Sequence, residues 1–304
     1  MARVVFLGTP QAAIPTLHRL DESHDVGLVV TQPDRPKGRS KRPTPPPVKE
    51  SANTKGLHVE QPSNRQELAA AILGSGPFEV GVVVAYGRII RPEVLEAPRH
   101  GLLNVHFSLL PRWRGAAPVA RALMAGDTMT GVTIIKLDEG LDTGPVLTAQ
   151  MIDIPEDDNA GTLTGRLADL GARLLSDVLP GYLSGDLEPI SQSDEGVTYA
   201  DKIGPEDRPI DPNSDADSVV ARVRALAPSP AATLLIDGEL HKIHTARVTD
   251  IEVSPGTWTA NDGRPLVGLH DGAIELIELQ PPGRNAQSGR DWVNGRQSDR
   301  GVVE

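Results

Sequence analysis

In the stretch GLLNVHFSLLPRWRGAAP, residues 101 to 118, an asparagine and a histidine sit two positions apart inside an apolar run. Residues two apart on a strand point the same way, so Asn104 and His106 share a face, joined by Ser108 if the strand runs on. A third group, Asp142, lies in the glycine-rich segment DEGLDTGP that leaves a later apolar run, GVTIIKLD. Beside the imidazole, its carboxylate would fix the ring's tautomer and favour the charged form; alone, it would close an Asx turn on its own loop. An amide, an imidazole and a carboxylate without a dedicated nucleophile suit acyl transfer between two bound substrates. The acceptor then brings its own amine, and the protein stabilises a tetrahedral oxyanion and moves a proton. The rival is a hydrolase triad of Ser108, His106 and Asp142. It is weaker because same-face residues two apart rarely bring Ser and His into contact, and no GxSxG elbow occurs.

Such groups need a rigid frame. Val4 to Leu7 reads as a buried strand stopped by Gly8 and Pro10, followed by a helix over about 12–22 and a second apolar strand in VGLVVTQPD. The pattern continues with a helix near 63–74, the strand EVGVVVAYG, a helical segment near Pro92, the strand LLNVHF, a helix over about 116–124 and GVTIIKLD. Near-continuous apolar strands alternating with helices predict a doubly wound, mostly parallel Rossmann-like sheet, whose ligands bind beyond the carboxyl ends of the strands. A helix over about 161–184 follows, and then the polar, Pro-rich segment YADKIGPEDRPIDPNSDADS has the composition of a linker. Beyond a helix at about 217–227 come short alternating segments with Asp237–Gly238 and Asp271–Gly272 turns, which is hairpin chemistry and points to a small, mostly β barrel. The expected organisation is a catalytic domain over 1–200, a linker over 201–216 and a C-terminal domain over 217–304.

Composition removes several classes. The chain has no cysteine, so thiolate metal sites and thiol chemistry are out, and its eight histidines form no HExxH pair; no metal is expected. A net charge of −11 argues against a protein that binds nucleic acid over its whole surface, and only 3% of residues are aromatic, too few for a base-stacking platform. No apolar run is long enough to span a membrane and MARVVFLGTP turns polar too early for a signal peptide, so a cytoplasmic protein with no membrane partner is expected. Against the acidic background, PDRPKGRSKRPTPPPVKE concentrates Arg35, Lys37, Arg39, Lys41 and Arg42 within eight residues. Its prolines predict neither helix nor ladder, and its charge fits an adaptable contact with a polyanion or a plain solvated insertion.

Residues 104 to 147, NVHFSLLPRWRGAAPVARALMAGDTMTGVTIIKLDEGLDTGPVL, resemble the core of the methionyl-tRNA formyltransferases, within the 10-formyltetrahydrofolate-dependent formyltransferase superfamily. The likeness runs end to end, through FLGTP, TQPDRPKGR, VVAYGRII, TYADKI and LIELQPPGRNAQSGRDWVNG. The resemblance implies transfer of a formyl group from 10-formyltetrahydrofolate to the α-amino group of methionyl initiator tRNA, for translation initiation, with no metal. It implies that Asn104 donates to the formyl oxygen, and that His106, held by Asp142, stabilises the oxyanion and assists proton transfer. It further assigns Ser108, Leu109, Leu110 and Pro111 to the folate site, with Ala85, Tyr86 and Gly87 receiving the pterin end. Arg39, Lys41 and Arg42 match an insertion that reaches the tRNA, and the C-terminal domain resembles an OB-like barrel that supports the tRNA arm. A monomer is expected. The chain departs from that family at Phe107, at Pro212, where an aromatic is usual, and at Pro228, Ser229 and Pro230, where Pro-Trp-Pro is usual.

The alternatives lack their own signals. A purine-pathway formyltransferase would be a shorter single domain with a Gly-rich phosphate loop, which GTPQAA is not, and a sugar-nucleotide formyltransferase has little use for the basic insertion. An NAD-dependent dehydrogenase needs GxGxxG opening the first helix, where this chain offers Gly8 alone. A protein that only holds tRNA would be expected to have lost one of the three polar groups, and all are present.

Overall fold

The computed structural model describes residues 1–36 and 42–304. These divide into two compact units: residues 1–118, 129–153 and 164–200 form the first, and 119–128, 154–163 and 201–304 the second.

In the first unit the apolar runs become strands β1 (Arg3–Gly8), β2 (Asp25–Val30), β3 (Val59–Glu60), β4 (Val80–Val84), β5 (Leu102–His106), β6 (Met129–Lys136) and β7 (Val146–Asp153). They make one sheet in the order β7-β6-β5-β4-β1-β2-β3. Pairs from β3 through β1 to β5 are parallel. The chain leaves β1 toward β2 and β3 and returns to β4 on the other side, so β1 and β4 flank the switch point at which open sheets bind ligands. Helices α1 (Ile14–Ser23), α2 (Pro47–Thr54), α3 (Arg65–Ser75) and the single turn α4 (Pro92–Leu95) connect these strands. Asn64 caps α3, accepting from the Glu67 N–H at 3.0 Å, while Glu67 reaches back to the Ser63 N–H, so two orphan donors are satisfied together. Val5, Leu7, Leu28, Val30, Leu68 and Ile72 pack into one fully buried cluster. Val4, Phe6 and Val29 are equally buried outside it, as expected for a sheet covered on both faces.

Two expectations change. The strand in GVTIIKLD is not parallel: β6 runs antiparallel to β5, with Leu103 opposite Lys136 and His106 opposite Thr133, and β7 is antiparallel to β6. Hydrophobic runs reveal burial but not direction, and the half-exposed edge strand β7 has no continuous apolar signal. The prolines of 33–50 also do not forbid regular structure. Arg35–Pro36 pairs antiparallel with Pro43–Thr44, and Pro47 opens α2, where a ring nitrogen replaces an N–H that a first helical turn leaves unbonded anyway.

Helices α5 (Pro118–Met124) and α6 (Ala160–Ser184) follow in the chain. In the second unit, residues 205–207 make a 3₁₀ turn; beyond it the Ile210 N–H donates to the Thr233 carbonyl and the Thr233 N–H to the Arg208 carbonyl, each at 2.8 Å. Asp215 then caps α7 (Ala216–Leu226), accepting from the Ser218 N–H at 2.8 Å. Strands β8 (Ala232–Ile236), β9 (Glu239–Thr249), β10 (Thr257–Asn261), β11 (Arg264–Gly268), β12 (Ala273–Gln280) and β13 (Arg300–Val302) form an antiparallel sheet in the order β8-β9-β12-β11-β10-β13. An Ile236–Val303 bridge, with the Glu304 N–H donating to the Leu235 carbonyl at 3.0 Å, joins the two ends and closes the barrel. The β8–β9 turn has φ +51° at Asp237 and +77° at Gly238, the primed geometry that a twisted hairpin requires, and Asp262–Gly263 repeats it between β10 and β11.

The barrel core holds Trp258 and Trp292, the latter on α8 (Gly289–Asn294), with ring centroids 4.7 Å apart. Beside them His241 is fully buried. The Trp292 indole can only donate, and does so to His241 Nε2 at 3.1 Å, so Nδ1 carries the hydrogen that bonds the Glu239 carbonyl at 2.8 Å. The bond that Nε2 accepts requires the neutral ring, and burial holds the imidazole below its ordinary value of 6.5, against the Glu239 carbonyl, which favours the charged form. Unfolding releases a ring that protonates more readily, so this contribution to stability is full above pH 6.5 and is lost as pH falls toward the folded value. In an NMR titration the His241 ring is expected to titrate below 6.5, with the thermal midpoint falling across that window; a ring titrating at or above the ordinary value contradicts this.

Candidate active site

Strand β5 ends at His106, and Asn104 and His106 face a cavity of about 600 Å³ in the first unit, within the range of small-molecule sites. Its wall also includes Ala85, Tyr86 and Gly87, which leave the carboxyl end of β4 at the switch point. The segment 137–142 also lines the cavity, ending with Asp142. Because β6 is antiparallel, its carboxyl end lies beside the start of β5, and the loop between β6 and β7 doubles back to bring Asp142 to Asn104 and His106.

Asp142 is 13% exposed, and its carboxylate is met by two donors and by the His106 ring. Oδ2 accepts from the Gly115 N–H at 2.9 Å and lies 3.6 Å from His106 Nδ1; Oδ1 accepts from the Asn104 amide at 3.3 Å. The His106 ring is fixed from its other side. Nε2 lies 2.9 Å from the Trp113 carbonyl, which can only accept, so Nε2 carries a hydrogen and Nδ1 is the nitrogen turned toward Asp142. An imidazole pinned this way takes up or releases a proton at Nδ1.

The backbone is bent to make these contacts. Asp142 has φ +51° and Trp113 +64°, left-handed conformations that an aspartate tolerates and a tryptophan adopts only when its surroundings impose it. Trp113 is held by its N–H on Thr198 Oγ1 at 2.9 Å, and Arg114 by its N–H on the Thr198 carbonyl at 2.9 Å. Gly115 has φ +124°, and a Cβ there would stand 2.8 Å from the Ala200 carbonyl oxygen, so only glycine fits beneath the 199–200 backbone with its N–H aimed at Asp142.

Other expected site residues lie elsewhere. Ser108 is fully buried; its hydroxyl donates to the Arg112 carbonyl at 2.7 Å, and its own carbonyl accepts from Thr133 Oγ1 at 2.7 Å. With the Ser108 hydrogen on Arg112 and His106 Nε2 on Trp113, the two side chains share no bond, which removes the hydrolase triad. Leu109, Leu110 and Pro111 are half-buried and, like Ser108, are not part of the cavity wall; the Leu110 N–H donates to Thr133 Oγ1 at 3.1 Å. SLLP therefore secures the turn that presents the Trp113 carbonyl. Arg39 and Lys41 lie outside the described residues, and Arg42 is exposed.

Arg88 is a wall residue that the sequence does not single out, and Tyr86 and Phe107 line the cavity with it. Arg88 lines the cavity with its guanidinium held by Gln32 Oε1 and the Pro62 carbonyl, each at 2.9 Å. Tyr86 is buried, its hydroxyl has no hydrogen-bond partner among the described residues, and burial pushes the phenol above its usual range. Phe107 is 8% exposed and borders the cavity beside His106. Among the described residues no group of three or more His, Asp or Glu side chains is arranged to hold a metal ion, and no helix is long and apolar enough to cross a membrane.

The chain has counterparts among known proteins in both of its parts. Residues 2–179 match the formyl transferase family and residues 202–297 the formyl transferase C-terminal domain. The chain belongs to the formyl transferase family. Its full-length relatives include the methionyl-tRNA formyltransferase of Halorhodospira halophila, 47% identical over 97% of this chain and 96% of the relative. That of Myxococcus xanthus is 43% identical over 96% and 95%. Among solved structures, an N-formyltransferase from Helicobacter canadensis, in complex with folinic acid and dTDP-3-aminofucose, shares the fold at a TM-score of 0.68 and 18% identity, over 92% of this chain and 100% of that one. HypX from Aquifex aeolicus, in complex with tetrahydrofolic acid, does so at 0.65 and 16%, over 96% of this chain, which spans about half, 47%, of the HypX chain.

Replacing Gly115 by alanine is expected to destabilise the first unit by about 1–3 kcal/mol, because a Cβ at that φ is strained and meets the Ala200 carbonyl. Urea unfolding measures it; an unchanged midpoint means that the 199–200 backbone yields without cost.

Proposed function

We propose that the chain transfers the formyl group of 10-formyltetrahydrofolate to the α-amino group of methionyl initiator tRNA, with Asn104, His106 and Asp142 as the catalytic residues. The observation that carries this reading is the convergence of the three side chains on one cavity wall, with no protein nucleophile beside them. The relatives' common name supplies the acceptor, and the folate derivatives in the two fold neighbours supply the class of donor.

The amine nitrogen attacks the formyl carbon, forming a C–N bond while the carbonyl electrons move onto oxygen. An Asn104 N–H donates to that oxyanion, and a preorganised donor aimed at the developing charge stabilises it more than mobile water would. His106 Nδ1, oriented by the Trp113 carbonyl and steadied by the Asp142 carboxylate, takes the proton that the ammonium of the adduct must lose. Collapse breaks the bond from carbon to N10, and the proton held at His106 Nδ1 passes to N10 as tetrahydrofolate leaves. The loop Ala85–Gly87 and the segment 137–142 line the space for the pterin end. Arg39, Lys41 and Arg42 supply the cations for the tRNA backbone, and their concentration in one loop reconciles RNA binding with a net charge of −11.

Purified protein given 10-formyltetrahydrofolate and charged initiator tRNA is expected to yield formylmethionyl-tRNA. His106→Ala should lower the rate by roughly 10²- to 10⁴-fold and Asn104→Ala by roughly 10²- to 10³-fold, the ranges for removing a proton carrier and an oxyanion donor. Release of formate without aminoacyl-tRNA, at a rate matching transfer, would instead make the protein a hydrolase. Combined Arg39→Ala, Lys41→Ala and Arg42→Ala should weaken tRNA binding and flatten its dependence on salt, by about one unit of slope for each phosphate no longer neutralised; an unchanged salt slope removes the loop from the tRNA interface.

A further inference from the structure

Gln192 sits in the exposed stretch 191–196, SQSDEG, whose composition gives no hint of a role. Its amide nonetheless uses both of its ends. Nε2 donates to the Asp142 carbonyl at 2.7 Å and the Gly144 carbonyl at 2.8 Å, and Oε1 accepts from Arg114 Nε at 3.1 Å and Nη2 at 2.7 Å. Arg114 is itself buried, and the N–H of the next residue, Gly115, binds the Asp142 carboxylate. The backbone carbonyl of Asp142 is thus tied directly to Gln192 and its carboxylate to the Gly115 N–H, and the Arg114 guanidinium links those two anchors.

We propose that Gln192 is a positioning residue for formyl transfer: with Arg114 it braces the 137–145 loop, so that Asp142 keeps its left-handed backbone and aims its carboxylate at His106 and Asn104. The proposal rests on the reading of this site given above. The physical need for a brace is specific. Asp142 has φ +51°, a conformation a free loop leaves readily, and the carbonyls of Asp142 and Gly144 point to a common donor that only a planar amide of this length, anchored at its other end, holds in place. Water could satisfy the two carbonyls, but it would not transmit the position of Arg114. Ile190 strengthens the anchor on the same segment, exchanging backbone hydrogen bonds with Val146 at 2.7 and 2.8 Å, so the brace and the far end of the loop move together.

Gln192→Met keeps the length and removes all four bonds; Arg114→Lys keeps the charge and removes the paired donation. Either is expected to lower kcat by roughly 10- to 100-fold, the cost of small misplacement of a catalytic group, while KM for 10-formyltetrahydrofolate stays within about threefold. In an Asp142→Ala background Gln192→Met should cost nothing more, because the brace acts only through Asp142. Amide exchange over 137–145 should quicken in Gln192→Met in the folded protein. A kcat within about twofold of the parent, or a full additional loss in the Asp142→Ala background, overturns the proposal. If the parent protein itself leaves methionyl-tRNA unformylated, the reaction assigned above falls, and exchange over 137–145 then decides the brace alone: unaltered rates in both variants overturn it as well.

Discussion

Asp142 is a charged group in a nearly closed wall, and an isolated carboxylate there would be costly to bury. It is sustained by an amide from β5 and a backbone N–H from the turn after it, with the imidazole of the strand's last residue alongside. Each of the three is in turn fixed by something that is not part of the reaction. The Trp113 carbonyl sets the imidazole, Thr198 and Ala200 set the turn, and β5 sets the spacing of Asn104 and His106 by its two-residue repeat. One ion therefore imposes left-handed backbone at Asp142 and Trp113 and glycine at position 115.

The direction of β6 explains how that ion arrives. Had β6 been parallel to β5, its following loop would lie at the carboxyl edge without effort, as in most doubly wound sheets. Antiparallel pairing sends the chain to the opposite edge, and the hairpin into β7 must fold back across the sheet. The cavity thus has walls of different origin: the Ala85–Gly87 side follows the ordinary rule for switch-point sites, and the Asp142 side is an added hairpin.

Much of this is readable from the chain. Buried parallel strands announce themselves as continuous Val, Leu and Ile runs, and Asn104 and His106 stand out because a two-residue repeat puts polar atoms where burial is expensive. The hairpin turn at Asp237–Gly238 follows from its need for positive φ, a need that Asp262–Gly263 meets in the same conformation. What the chain hides is mostly relational. Strand direction leaves no mark on a hydrophobic run, so β6 reads as parallel. Ser108 shares its alternation with His106 only while the strand continues, and the strand stops at His106. Gln192 and the Trp113 carbonyl act through a polar loop and through backbone, which periodicity does not register. The proline-rich segment misleads in the opposite sense, since proline is compatible with the start of a helix as well as with a break.

The position of these contacts along the chain sets an order of entropic cost. His106 meets Trp113 only seven residues away, Asn104 meets Asp142 across 38, and Arg114 meets Gln192 across 78. Closing the longest of these loops costs about 2 kcal/mol more than closing the shortest. The turn that orients the imidazole is therefore the least demanding element to assemble, and the far glutamine the most demanding. A chain assembling from the unfolded state therefore meets the contact that turns the histidine at the least entropic cost, before the anion beside it is in place.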